Sequence, residues 1–190
     1  TFGGDWWLDI IRDGSIPEES KPLLIQRKYI AQYRSHFRWI GALPVTAGMP
    51  DEDIKYYLIF ASRSQVAFEL MNDVMKKAWY EFMLDTLKTQ ARGTLFEGTD
   101  QTELVPQRFQ TDLKWLASRV FEESQIVANA QASYVGNVYN VIMRRPQLRS
   151  RLIARLFARY ACSEYNNAIK LLLQESKLLP ETSQTRISDT

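Results

Sequence analysis

The chain has 190 residues, of which 45% are hydrophobic and 24% are charged, a balance typical of a folded protein rather than a disordered one. One cysteine and one histidine exclude an internal disulfide and leave too few soft ligands for a structural zinc site. A net charge of +2 indicates no particular partner, and no apolar run approaches the roughly 20 residues that a transmembrane helix needs. We therefore expect a cytoplasmic protein with no metal, no cofactor and no membrane partner.

Two helices are predicted at the start of the chain. The first occupies about residues 5–12, between a glycine pair and the turn signal DGS. The second extends from Pro17, near its first turn, to about His36, because apolar and aromatic residues recur there every four positions.

An antiparallel hairpin and a long helix come next. Residues 38–46 and 55–62 are rich in β-branched and aromatic types and are separated by a polar turn, which predicts two paired strands. Pro44 places the first strand at a sheet edge or a bulge. Ser64 opens a long helix with a single apolar stripe, made of Ala67, Leu70, Met71, Val74, Met75, Ala78 and Phe82.

The second strand, within the segment KYYLIFASRS, holds six apolar residues in a row from Tyr56 to Ala61. A strand with one face in water alternates apolar and polar residues, so an unbroken run predicts a strand covered on both faces. An isolated hairpin is marginally stable and cannot supply that cover. At least one edge of the strand pair would also stay open, so we expect further strands of the same sheet upstream, and a start at Thr1 rather than methionine fits a missing N-terminal portion.

The second half of the chain predicts a linker and then a helical domain. Residues 91–106 contain two glycines, a proline and several threonines, which favours a linker. Apolar stripes beyond it predict packed helices as far as Pro180, before a polar tail. The predicted organisation is therefore an α/β portion at 1–90, the linker, a helical domain at 107–180 and a loose tail at 181–190.

The order helix, hairpin, helix is also common at the end of doubly wound α/β folds of the class I methyltransferase type, which is an analogy at the level of fold. The segments TFGGDWW, FRWIGALPV and YYLIFASRSQVAFELMNDVMKKAW resemble the latter part of the three-Cys-motif partner proteins. The resemblance covers roughly residues 1–80 and is looser beyond, where TLFE and AIKLLLQESKLL are also similar.

This resemblance implies a bacterial or archaeal protein whose N-terminal domain is methyltransferase-like and whose end is winged-helix-like. It also implies a protein partner that carries a three-cysteine motif. The implied fold class is α+β and mostly helical: the terminal hairpin and helices of a methyltransferase-like domain, then a small helical domain. The matching motifs are structural, so no catalytic residue is carried over. Gln65 and Val66 stand where the family has a His-Pro or similar pair, and no wing hairpin is evident after Leu179.

A run of arginines is the most unusual charge feature, with six in sixteen residues and no acid among them. On a continuous helix, Arg151, Arg155 and Arg159 would form an outward ridge at i, i+4 and i+8. Guanidinium groups match phosphate geometry, and each phosphate they neutralise releases counterions, so this face predicts nucleic-acid contact. The six candidate residues are Arg144, Arg145, Arg149, Arg151, Arg155 and Arg159.

A less specific interpretation of the arginines is a solvated helix face, or one that pairs with acids elsewhere in the chain. Glu97, Asp100 and Glu103, in the predicted linker, are the candidate partners. Cys162, just after the basic helix, could have a lowered pKa, although a buried and unreactive free cysteine is the commoner case.

The helix predicted from Glu164 to Lys177 carries Asn166, Asn167 and Lys170 on its polar side. These residue types can contact base edges in a major groove, which would make the segment a recognition helix. The alternative is an ordinary polar surface, since the turn ACS before the helix lacks the glycine often found in a helix-turn-helix.

The leading hypothesis is a non-catalytic portion of a three-Cys-motif partner-like protein that associates with nucleic acid or acts as a scaffold, with the arginines contacting phosphates. The alternatives are a module that docks a partner protein, and the substrate-recognition end of a methyltransferase. We do not expect this chain to be an enzyme by itself, although the full-length protein could be methyltransferase-like.

Overall fold

The computed structural model of the chain is a mixed α+β structure that is mostly helical, with six α-helices and one two-stranded antiparallel hairpin in the part that it describes. The predicted class, α+β and mostly helical, is therefore confirmed at this level. No helix within the described ranges is long and apolar enough to cross a membrane. Those ranges are residues 4–46, 54–95, 97–98, 112–135 and 144–178.

The described structure forms two compact units, residues 1–68 and 69–190, and each is considered by itself. The predicted linker, 91–106, begins where the third helix ends, and most of it lies outside the described residues, so the predicted domain boundary stays a prediction.

The helices are α1 (Trp6–Arg12), α2 (Lys21–Tyr33), α3 (Gln65–Ala91), α4 (Leu113–Val135), α5 (Arg145–Arg155) and α6 (Cys162–Gln174); the strands are β1 (Trp39–Thr46) and β2 (Ile54–Ser62).

In the first unit, Lys21 joins α1 to α2. Its Nζ donates to the carbonyl oxygen of Ile11 at 2.7 Å and to Glu18 at 2.5 Å, and the side chain is buried. A 3₁₀ turn, Glu18–Ser20, precedes α2. Helix α2 ends at Tyr33, three residues earlier than predicted. In the turn that follows, the carbonyl of Tyr33 accepts the backbone N–H groups of His36 and Phe37, which satisfies one of the carbonyls that a helix end leaves without a partner.

The hairpin has the predicted strands to within one residue at each end, and its two strands differ in burial. Five of the eight residues of β1 are buried, whereas none of the nine residues of β2 is. Tyr56 is 57% exposed and Leu58 is 40% exposed. The described structure therefore leaves much of β2 uncovered, as expected if its apolar run needs cover that the hairpin does not supply. The expected upstream strands stay a prediction.

One end of the hairpin is covered by the start of α3. The rings of Trp39 and Phe60 lie on the same face of the sheet and stack on Phe68, with ring centroids 6.1 and 6.4 Å apart respectively. Phe68 is completely buried. Residues 56 and 58 continue this face along β2 and remain exposed. The hydrophobic contacts therefore stabilise one end of the strand pair only.

Helix α3 buries a different face from the one that its apolar stripe predicts. Asn72 and Met83 are fully buried, whereas Leu70, Val74 and Phe82 of the predicted stripe are exposed. Helix α3 carries apolar residues on more than one side, so periodicity alone does not identify which side is covered.

In the second unit, α4, α5 and α6 pack around a common apolar core. Helical spacing places the buried side chains of each helix on one face, as the sequence predicts for packed helices. Residues 156–161 connect α5 to α6 and are mostly buried or half-buried. The buried residues of the three helices include Leu116 and Val120 of α4, Leu152 and Ile153 of α5, and Tyr165, Ala168, Ile169 and Leu172 of α6.

Candidate functional site

The arginine run does not form the single helical ridge that its spacing predicts. Helix α5 ends at Arg155, and Leu156 leaves the helical conformation with φ −124° and ψ 40°. Arg159 therefore lies in the connection to α6, where its guanidinium carbon is 5.4 Å from the centroid of the Trp115 ring on α4. The ridge prediction is wrong at its third position, because the helix stops one turn short of Arg159.

Arg151 and Arg155 of α5 share one buried carboxylate on α4. The Nε of Arg151 donates to Oε1 of Glu123 at 3.1 Å, and Nη1 of Arg155 lies 3.1 Å from Oε2. The latter contact is an ion pair whose geometry is not that of a hydrogen bond. The Glu123 side chain is 2% exposed, whereas those of Arg151 and Arg155 are 50% and 59% exposed. The guanidinium groups of Arg151 and Arg155 are thus held by a buried carboxylate, while much of each side chain remains exposed to solvent.

Further along α4, Trp115 and Arg119 extend this charged surface. Positions 115, 119 and 123 follow one face of the helix. The guanidinium carbon of Arg119 is 5.3 Å from the centroid of the Trp115 ring, and its Nη1 lies 2.7 Å from the carboxylate of Glu122. Cation–π contacts with Trp115 therefore orient both Arg119 and Arg159 beside its ring. We call the resulting set, Arg119, Arg151, Arg155 and Arg159, the arginine face.

Arg149 is placed differently from the arginine face, because it joins three helices inside the second unit. Its Nη2 lies 2.5 Å from Oε2 of Glu69 on α3, and its Nη1 donates to Oδ1 of Asn166 on α6 at 2.9 Å. Ser150, which is buried, donates to the other oxygen of Glu69 at 2.6 Å. Arg149 and Asn166, both predicted to contact nucleic acid, therefore bind each other within the fold.

The other predicted contact residues lie on the surface. Arg144 caps the start of α5 with its backbone and Arg145 is the first residue of that helix, and both side chains are exposed. Asn167 and Lys170 are exposed on α6. The nine predicted residues thus divide between the arginine face, the start of α5, the exposed side of α6 and the half-buried pair of Arg149 with Asn166.

In the part of the chain that the structure describes, the acids that pair with the arginine run lie on α3 and α4, and Glu97 of the predicted linker is not one of them. Glu97 accepts a hydrogen bond from the backbone N–H of Gly93 at 2.9 Å, and Asp100 and Glu103 lie outside the described residues. The partners in the structure are Glu69 and Glu123. Among the described residues, no three acids, histidines or cysteines come together in a way that could hold a metal ion.

The connection between α5 and α6 is fixed by a residue of α3. Ala158 adopts the left-handed conformation with φ 60°, which is uncommon for a residue other than glycine. Its backbone N–H donates to Oδ1 of Asn72 at 2.8 Å, and Nδ2 of Asn72 donates to the carbonyl oxygen of Tyr160 at 2.8 Å. Asp73 accepts from the N–H of Cys162 at 2.8 Å. The left-handed residue of this connection is therefore an alanine, held by hydrogen bonds to α3.

Cys162, at the start of α6, is predicted to react slowly with thiol reagents. Burial raises the pKa of its thiol to about 12, and the nearby carboxylate of Asp73 acts in the same direction. The nucleophile is the thiolate, whose population falls tenfold for each unit by which the pKa rises. With an uncharged disulfide reagent near about pH 8, we expect the native protein to react at least about tenfold more slowly than the protein unfolded in urea. Equal rates would show that the thiol is accessible and ionised.

Comparison with known proteins leaves the chain without an assigned family, since no family, no curated protein and no solved structure matches it. The resemblance to the three-Cys-motif partner proteins is therefore still a prediction. What the structure contributes is the geometry of the arginine face and of α6.

Proposed function

We propose that the second unit binds nucleic acid, and that the arginine face makes its phosphate contacts. The observation that carries this proposal is the arrangement of Arg151 and Arg155, which keep at least half of their side chains exposed while sharing the buried carboxylate of Glu123. Two positive charges against one negative charge leave an excess of positive charge at this position. An excess of positive charge attracts polyanions.

Anchoring also lowers the entropic cost of binding. A free arginine side chain loses rotamer freedom when it contacts a phosphate, at a cost of about 0.5–1.5 kcal/mol. Arg151 is already held by a hydrogen bond to Glu123, and Arg159 by its contact with Trp115. Their outward N–H groups are therefore oriented before a phosphate arrives, which favours a forked contact.

In this proposal the chain is part of a protein similar to the three-Cys-motif partner proteins. The hairpin between α2 and α3 corresponds to the end of a methyltransferase-like α/β domain, and α4 to α6 correspond to a winged-helix-like end. No residue is assigned a catalytic role. If the larger protein is a methyltransferase, the arginine face would hold its nucleic-acid substrate.

The test is binding of short duplex and single-stranded DNA by fluorescence anisotropy between about 50 and 200 mM salt. Replacing both Arg151 and Arg155 with alanine is expected to lower affinity by about tenfold or more at the lowest salt concentration. It should also reduce the slope of log affinity against log salt concentration by about two. The matched control is Lys77→Ala with Lys88→Ala, which removes two exposed charges from α3. Undetectable binding at low salt, or equal losses in both double variants, would contradict the proposal.

A second candidate function is the docking of a partner protein, and the exposure of β2 favours it. Ile54, Tyr56 and Leu58 alternate along the strand and are all exposed, and β1 pairs with only one edge of β2. Such an edge can accept an additional strand. The partner that the family resemblance implies is a protein with a three-cysteine motif. A complex with such a protein that survives high salt and is weakened by Leu58→Lys would favour this candidate.

A further inference from the structure

Helix α6 presents a straight polar stripe to solvent. Ser163, Asn167, Lys170 and Gln174 recur at intervals of four, three and four residues, which places them on one side of the helix, and all four side chains are exposed. None of these four side chains makes a hydrogen bond or an ion pair with another described residue. No acidic residue shares this stripe.

The opposite side of α6 is firmly held. Tyr165, Ala168, Ile169 and Leu172 are buried, and the hydrogen bond between Asn166 and Arg149 ties the flank of α6 to α5. At the N-terminal end, Oε2 of Glu164 accepts the backbone N–H of Ala161 at 2.5 Å. The stripe is therefore displayed on a rigid support, as direct recognition of a partner requires.

We infer that α6 enters the major groove of duplex DNA and that Asn167, Lys170 and Gln174 contact base edges there. This inference rests on the proposed function and names its substrate class. Asparagine and glutamine can make paired hydrogen bonds to adenine, and lysine can donate to guanine. Helix α6 has 13 residues and is about 20 Å long, and a major groove about 12 Å wide admits a helix of this thickness.

The connection between α5 and α6 supports a duplex rather than a single strand. A helix-turn-helix places its second helix in the groove while other elements contact the backbone. Here α5 carries Arg151 and Arg155 of the arginine face, α6 carries the stripe, and Asn72 fixes the turn between them through Ala158. Trp115 already has two guanidinium groups over its ring, so it is poorly placed to stack on unpaired bases.

The experiment selects binding sites from a pool of duplex DNA with a randomised centre. The full chain is expected to enrich one sequence and to bind it at least about tenfold more tightly than the unselected pool, because each paired base contact discriminates by about this factor or more. The same sequence as duplex RNA is expected to bind no better than the pool, since its major groove is too narrow to admit side chains.

The variant that tests the stripe combines Asn167→Ala, Lys170→Ala and Gln174→Ala. We expect it to lose the tenfold preference while retaining most of the affinity for the unselected pool. Lys88→Ala with Gln90→Ala, two exposed positions of α3, is the control and should keep the preference. Thermal unfolding followed by circular dichroism checks that both variants are folded.

The outcomes separate this inference from the proposed function. If the chain enriches no sequence, or if the triple variant enriches the same sequence as the unmodified chain, the major-groove inference is wrong. If, in addition, the variant of Arg151 and Arg155 still weakens binding to the pool, the proposed phosphate contacts stand without base contacts. If nothing binds at low salt, both are wrong.

Discussion

Replacing Asn72 with alanine is expected to destabilise the second unit by about 2–4 kcal/mol. The Asn72 side chain is completely buried and makes three hydrogen bonds, with the carboxylate of Asp73, the backbone N–H of Ala158 and the carbonyl of Tyr160. Alanine would leave both backbone groups unpaired in the interior, at about 1–3 kcal/mol each, and partial relaxation offsets some of this. The measurement is the urea midpoint of unfolding, followed by circular dichroism.

The control for this prediction is Gln90→Ala, an exposed position near the end of the same helix, which should change stability by no more than about 0.5 kcal/mol. Asn72→Asp keeps the acceptor for Ala158 but buries a carboxylate beside the Tyr160 carbonyl and the Asp73 carboxylate, so it should be at least as destabilising as alanine. If Asn72→Ala were as mild as Gln90→Ala, the connection between α5 and α6 would not depend on α3.

Replacing Tyr165 with alanine is expected to cost about 3–5 kcal/mol, the range typical of removing a buried aromatic ring. Tyr165 is completely buried on α6, and its ring meets that of Tyr160 edge to face with centroids 5.9 Å apart. Its hydroxyl donates to the carbonyl oxygen of Leu156 at 3.2 Å. Alanine leaves a cavity among three helices, which the surrounding side chains can fill only in part. The same urea titration measures the effect.

Tyr165→Phe separates the ring from the hydroxyl and should cost only about 1 kcal/mol, the net worth of one hydrogen bond. Burial raises the pKa of Tyr165 above its ordinary value of 10.0, so the folded state holds the phenolic proton more tightly than the unfolded state does. The associated stability is complete below about pH 10 and is lost as the pH rises further. The unmodified chain should therefore lose more stability than the phenylalanine variant between about pH 9 and 11. Parallel losses would show that Tyr165 ionises freely.

The local elements were predictable because their signals are local. Strands β1 and β2 and helix α1 match their predicted bounds to within one residue, since turn residues and β-branched or aromatic runs mark both ends of each. Helix α2 is three residues shorter than predicted. Backbone hydrogen bonds hold the turn after Tyr33, and no residue type in the sequence marks that turn.

Burial was less predictable than secondary structure. Periodicity identifies which side chains share a face, but the face that becomes buried depends on where the neighbouring elements dock. Helix α3 is apolar on several sides, and the structure buries Asn72 and Met83 rather than Leu70 and Val74. In β2 the apolar run predicts a need for cover that the hairpin cannot supply, and Tyr56 and Leu58 are exposed.

The sequence reveals the cluster of arginines in the candidate site, but not how their side chains are arranged or which acids they pair with. Six arginines without an acid are evident in the sequence, but their partners are distant: Glu123 is 28 residues from Arg151, and Glu69 is 80 residues from Arg149. The contact of Trp115 with Arg159 was unpredictable for the same reason. Trp115 reaches Arg159 only because α4 packs against the connection between α5 and α6. No spacing rule links positions so far apart.

The hydrogen bonds of Asn72 also have a consequence for the order of folding. The two helices that they orient are neighbours in the chain, but Ala158 and Asn72 are 86 residues apart. Closing a loop of that length costs conformational entropy before any contact offsets it, so distant contacts tend to form late. We therefore expect the α5–α6 pair to form on its own local contacts before α3 docks, and the docking of α3 to set the final angle between the two helices.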